Sequence, residues 1–348
     1  MFNPFLGVFL HAVGGLAAGS FYIPYRKIRH WSWETYWLTQ GFAAWIIMPW
    51  LIAVLTTPDL GVVLSESFSV KMFWSYLFGV LWGIGGLTFG LSMRYLGLSL
   101  GMSLSLGFCA VFGTIIPPVY AGDTETLFFT RPGQIVLAGV MICLAGIAVC
   151  CYAGMLKERE LTDEQKKQAI REFALTKGFA VAIFAGVMSA CFAYGIEAGK
   201  PIAEAALAAG TQPLFQNNPV FIFVMGGGFT TNCLWCLYLG LKNKSLRNYI
   251  YTDGRGVLIQ NYLLAILGGC IWYMQFFFYG MGSTQMGKYD FSSWSIHMAF
   301  IIIFSNMWGL LFKEWQNVRR RTYGLVVSGL LILVLSTLTI GYANYLEA

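Results

Sequence analysis

Stretches of about 20 mostly apolar residues recur along the chain, at roughly 4–25, 35–55, 72–93, 98–120, 133–153, 178–199, 218–241, 257–281, 291–312 and 323–346. At about 1.5 Å of rise per residue, each can cross a hydrocarbon core about 30 Å thick. Lipid offers the backbone no partners, so each stretch is predicted as a helix that satisfies its own hydrogen bonds. The polar connections are mostly short. The exception, 154–177, reads GMLKERELTDEQKKQAIREFALTK. In it Thr162 is followed three residues on by Gln165, a capping-box pattern that opens a short surface helix. This segment is expected to be a charged linker between two halves of the chain.

Composition agrees with that pattern. Of 348 residues 57% are hydrophobic and 11% charged, against about 25% charged in soluble domains. The expected class is an all-α polytopic membrane protein. The first Lys or Arg is Arg26, behind the first apolar stretch rather than ahead of it. A cleaved signal peptide has the opposite polarity, so this stretch is expected to remain as a helix. The eight cysteines all fall in apolar stretches. Cys233 and Cys236 form a C-x-x-C without a second pair or a nearby histidine, and they read as buried thiols rather than a metal or redox centre. No cofactor is expected.

Charge then sets the orientation. Of 22 Lys and Arg residues, 18 fall in the connections after odd-numbered stretches. Only Lys71, Arg131, Lys200 and Lys288 fall on the other side. The positive-inside rule places the odd connections in the cytoplasm and both termini outside. The net charge of +6 therefore needs no nucleic-acid partner.

An offset of 190 residues aligns Gly79, Trp82, Phe89 and Gly90 with Gly269, Trp272, Tyr279 and Gly280. The same offset aligns Gly139, Tyr152 and Ala153 with Gly329, Tyr342 and Ala343. This suggests a duplication, with repeats at 1–153 and 178–348 around the linker. Five helices per repeat is an odd number, so the second repeat enters the membrane from the opposite side. Inverted repeats of this kind are a recurring transporter architecture with the substrate site near the midplane.

Polar groups inside apolar stretches are costly, about 2.5–3.5 kcal/mol for a central charge, and so mark candidate sites. Asp290, Ser293, Trp294 and His297 are spaced to share one helical face. An acid at the mouth, a deeper imidazole and a tryptophan between them suit a proton-coupled sugar site. An Asp N-cap with a core histidine is the plainer alternative. Gln275, Trp272, Tyr273 and Tyr279 lie in LGGCIWYMQFFFYGMG (267–282), with Trp82 as the counterpart from the other repeat. Aromatic faces cover the C–H faces of a sugar, and amide, indole and phenol groups bond its hydroxyls. Aromatic-rich helices also occur simply where proteins meet lipid. His11 and Asn232 are further intramembrane polar groups, as are Gln40 and Asn306, with Asn232 a candidate for binding the substrate and His11 a candidate proton carrier behind Asp290 and His297. Glu34 opens a helix, where an acid complements the dipole, and it stands behind Asp290 and His297 as a proton carrier. Glu197 and Lys200 read as a neutralising pair. The GGG at 226–228 has no GK[ST] after it and reads as a close helix contact, not a phosphate loop.

WSWET (31–35), MRYLGLSLGMSLSLG (93–107), LKERE (156–160), VMGGG (224–228), the 267–282 string, KYDFSSWSIHM (288–298) and FKEW (312–315) together resemble the bacterial L-rhamnose–proton symporters of the drug/metabolite transporter superfamily. The resemblance covers nearly the whole chain. It implies ten helices in two inverted five-helix repeats, and import of L-rhamnose with a proton across the inner membrane. It departs at Ala203, where the family reads histidine in KPxHEAA, and at Phe291, where it reads tyrosine. The same machinery could serve an exporter of another metabolite or drug. An intramembrane enzyme would need clustered catalytic groups, which His11, His30 and His297 on three separate segments do not supply. A receptor-like bundle would bind solute without flux.

Overall fold

The computed structural model describes residues 2–66, 70–96, 98–122, 124–160, 175–316 and 318–346. The predicted capping box at Thr162–Gln165 lies outside them. Among the described residues the regular structure is helical throughout. Helix α1 (Pro4–Ser20) begins at Asn3, whose side chain accepts the Leu6 N–H at 3.1 Å, with Pro4 at the first helical position. Helix α2 (Trp33–Gly41) passes through a π-helical turn at Phe42–Ile47 into α3 (Met48–Thr56). Pro49 has no N–H to bond the preceding turn, and the wider turn absorbs the mismatch. That turn directs Trp45 into the core.

The chain continues as α4 (Leu60–Glu66), α5 (Val70–Leu96), α6 (Leu98–Ala121), α7 (Thr124–Phe129), α8 (Arg131–Glu160), α9 (Leu175–Ala198), α10 (Lys200–Ala208), α11 (Asn218–Lys242), α12 (Arg255–Ser283), α13 (Ser293–Leu311) and α14 (Arg320–Tyr345). Among the described residues nine helical segments are long and apolar enough to cross a membrane. The predicted stretch 98–120 falls on α6, but its continuous apolar part, Leu104–Val119, is shorter, and Pro117 and Pro118 lie inside the helix. Large side chains such as Phe5, Phe9, Leu331, Leu335 and Leu338 are exposed on the outside of the bundle. Apolar exposure on this scale suits acyl chains rather than water.

Two boundaries differ from expectation. Helix α8 runs to Glu160, into the segment expected as linker. Lys157 and Arg159 in its last turn favour the dipole. Glu160 then accepts from the Arg319 N–H and the Thr322 hydroxyl, both at 2.7 Å, tying the end of α8 to the start of α14. These bonds hold the Glu160 carboxyl below the usual carboxylate range. The second difference concerns Asp290. It does not open α13 but lies in a 3-10 turn, Gly287–Ser292, just before it.

The most extensive packing joins α5 to α9 and α8 to α14, followed by α5 to α11, α6 to α9, and α1 to both α12 and α13. Small residues permit these approaches. A Cβ on Gly79 would strike the Val224 carbonyl, and one on Gly227 would strike Tyr76 and Val80 main-chain atoms. So α5 and α11 meet backbone to backbone, and Thr231 donates to the Val80 carbonyl across the contact at 2.9 Å.

One end of the bundle carries most of the basic loops and is closed. Glu34 accepts from Ser245 Oγ at 2.6 Å and from Asn243 Nδ2 at 3.0 Å. Trp31 donates to Thr252 at 3.1 Å, and Asn261 exchanges two bonds with the Arg29 main chain. The other end gathers both termini, with Asn3 bonded to Gln285 and Asn344 bonded to Ser292.

Gly227→Val should destabilise the protein by about 1–3 kcal/mol, because overpacking displaces α5. Gly226→Ala, with open space at the Cβ, should be tolerated. Thermal unfolding in detergent distinguishes the two.

Candidate functional site

At the end that holds the termini, a cavity of about 180 Å³ opens among α6, α9, α10, α12 and the turn before α13. Its polar lining includes Glu197, Lys200, Glu204, Asn217, Ser283 and Asp290, with Tyr279 as part of the wall. Ala193, Ile196, Ala203, Leu207 and Phe291 supply an apolar side. A wider outer cavity of about 410 Å³ shares Pro117, Glu197, Lys200, Asp290 and Phe291 with it. These five residues form the neck between the two.

Lys200 is the centre of that neck. Its ammonium lies 2.8 Å from Glu197 and 3.4 Å from Asp290. The pair that the sequence suggested is therefore a triad, and Asp290 is an ion-pair partner rather than a helix cap. Helix α13 starts without a side-chain cap. The inner cavity is braced by Asn217, whose amide donates to the Gly280 carbonyl and to Ser283 Oγ at 3.1 and 3.2 Å.

Behind Tyr279 lie both candidate histidines. Its ring centroid is 5.4 Å from His11 and 5.3 Å from His297, and the two imidazoles are 6.1 Å apart. Both are fully buried, and neither ring nitrogen of either has a hydrogen-bond partner among the described residues. Glycines make the space: a Cβ on Gly14 would come within 3.1 Å of His297, and one on Gly282 within 2.8 Å of His11. Trp294 meets Tyr279 edge-on at 5.6 Å and donates to the Cys109 carbonyl at 3.1 Å.

Other sequence candidates lie elsewhere. Trp272 and Trp82 do meet across the bundle, at 5.7 Å, but they pack with Trp45, Phe192 and Phe276 in an apolar layer. Trp272 is seven residues before Tyr279 on α12, about 10 Å nearer the basic end, so the layer floors the cavity rather than lining it. Gln275 is buried beside Gly14, and Tyr273 is wholly buried with an unpartnered hydroxyl. Neither is a cavity residue. Asn232 accepts from Trp37 Nε1 and donates to the Gly228 carbonyl, so its amide serves packing. Glu34 belongs to the closed end. Sequence reasoning missed Asn217, Ser283, Glu204 and the shared role of Lys200. One signal was available: Lys200 is among the four basic residues that the orientation count left on the minority side.

A polar cavity enclosed by apolar helices, open at one end and floored by aromatics, belongs to a multi-pass helical membrane protein. The chain is a member of the L-rhamnose-proton symport protein (RhaT) family, whose model matches residues 2–344. It is similar to the L-rhamnose-proton symporter of Enterobacter sp. (strain 638), 35% identical over 338 residues and 97% of each chain. It is also similar to that of Shigella flexneri, 37% identical over 343 residues, 97% of this chain and 98% of the other. The family is one of transporters, not enzymes.

In a background lacking the eight native cysteines, Ser283→Cys should react readily with a membrane-impermeant thiol reagent added at the end bearing the termini. Tyr273→Cys should stay protected. Equal labelling would remove the inner cavity from consideration as an open site.

Proposed function

We propose that this protein imports L-rhamnose together with a proton across the bacterial inner membrane, with the inner cavity as the sugar site and Asp290 as the primary proton carrier. The observation that carries the reading is the neck, where Asp290, Lys200 and Glu197 meet at the mouth of a cavity walled by Tyr279. At about 180 Å³ the inner cavity is well above the roughly 10–15 Å³ that one water needs and is on the scale of a monosaccharide. Glu204, Asn217, Ser283 and Tyr279 offer bonds to ring hydroxyls. The apolar side suits a sugar's C–H face or a deoxy methyl group. His11 and His297 stand behind Tyr279 as secondary proton groups.

L-Rhamnose is neutral, so each cycle carries one positive charge inward. A potential of 100 mV then contributes about 2.3 kcal/mol per proton. A gradient does work only if the proton binds the two conformations unequally. The closed basic end, the aromatic floor and the open cavity support an outward-facing state with both termini in the periplasm, in accord with the basic-residue count.

The halves 1–153 and 178–348 are read as inverted five-helix repeats joined by the charged linker. Packing supports this reading. Number the spans one to ten as α1, α2 with α3, α5, α6, α8, α9, α11, α12, α13 and α14, and exchange each span with the one five places away. The pair α1–α12 becomes α9–α5, α1–α13 becomes α9–α6, and α2–α12 becomes α11–α5, all of them observed contacts. The pair α8–α14 maps onto itself.

Asp290→Asn should abolish accumulation of labelled L-rhamnose in proteoliposomes under an acid-outside gradient. Counterflow, which needs no net proton movement, should continue. Normal accumulation in this variant would eliminate Asp290 as the carrier.

A further inference from the structure

Two charges at the junction of α9 and α10 stand against the fields of their own helices. Glu197 is the second-last residue of α9, where exposed carbonyls disfavour an anion. Lys200 is the first residue of α10, where free N–H groups disfavour a cation. Local helix stability explains neither. They are held by each other at 2.8 Å, and Lys200 also by Asp290 at 3.4 Å. The three side chains are 29–48% exposed, and ion pairs that exposed contribute little to stability. All three line both the inner and the outer cavity. One ammonium is thus divided between two carboxylates in the neck that a solute must pass.

We propose that Lys200 is the residue that couples proton to sugar: its ammonium and the incoming proton compete for Asp290. This deepens the symport reading above and rests on it. With Asp290 ionised, Lys200 ties the start of α10 to the turn before α13. A proton on Asp290 leaves Lys200 to Glu197 alone, and the link across the neck is lost. The proton therefore binds the linked and unlinked conformations unequally, which is the condition for coupling.

The other groups around Asp290 leave this competition in place. Glu197 faces it from α9, Glu204 lines the inner cavity from α10, Tyr279 stands on α12, and Lys288 is on its own turn and lines the outer cavity. Helix α6 contributes Gly113, Pro117 and Pro118, without charge. Tyr279 stands in front of His11 and His297. Of these, Lys200 bonds Asp290 directly, at 3.4 Å.

The test is labelled L-rhamnose uptake by the reconstituted full-length protein against external pH, at fixed internal pH and membrane potential. Lys200→Gln leaves two facing carboxylates without their cation. The pH of half-maximal uptake should rise by about 1–3 units, the range typical for loss of an adjacent opposite charge. Glu197→Gln gives the ammonium wholly to Asp290, and the midpoint should fall. Lys200→Arg should keep the wild-type midpoint. An unchanged midpoint in either folded glutamine variant, or shifts of the two in the same direction, overturns the inference. Folded variants devoid of both uptake and counterflow also overturn it, since Lys200 and Glu197 would then be serving the sugar itself. The two opposite shifts are separate tests, so misfolding of one variant leaves the other decisive. A wild-type protein that fails to accumulate L-rhamnose under the gradient defeats the symport reading instead, before any variant is made.

Discussion

A polar group in hydrocarbon has no water to turn to, and that scarcity governs this molecule at every scale. It forces the backbone into helices that close their own hydrogen bonds. It brings helices together through glycines, because lipid supplies little drive for association and close backbone contact must supply it instead. Gly79 and Gly227 are that contact between α5 and α11. The same scarcity makes Asn217 and Thr231 spend their polar atoms on neighbouring helices, while Asn232 divides its amide between Trp37 of α2 and its own helix.

Against that background, the groups without protein partners stand out. Both imidazoles behind Tyr279 are buried and unbonded among the described residues. Just in front of them the neck holds two carboxylates on a single ammonium. Incompletely paired polar groups beside a cavity are available to a ligand or a proton. This is why the neck and the Tyr279 wall carry the functional reading and the Trp82–Trp272 contact does not. The tryptophans fill an apolar layer that separates the cavity from the closed basic end.

The closed end is built from different material. Glu34, Asn243, Ser245, Trp31, Thr252 and Asn261 form short, neutral or singly charged bonds across loops. These bonds are buried or part-buried in the closed state, and water entering on opening would replace them at modest net cost. An end that opens and recloses in a transport cycle needs such contacts. The buried aromatic layer would have to separate in the same movement, and its loss of packing can be offset by equivalent closure at the other end if the halves are related by symmetry.

Hydropathy alone determined the class and, among the described residues, the approximate positions of nine spanning helices, because the bilayer imposes one length and one polarity on every span. It also located Asp290, His297, His11, Tyr279 and Trp294, since a polar or aromatic residue in an apolar stretch is conspicuous. Only the tertiary structure decided which of these meet. Lys200 and Asp290 are 90 residues apart in the chain, so no local spacing could pair them. Trp272, Gln275 and Tyr279 fall within eight residues on one helix, yet they serve different neighbours. Helical periodicity tells which residues share a face. What that face meets depends on the helices packed against it, and those come from distant parts of the chain.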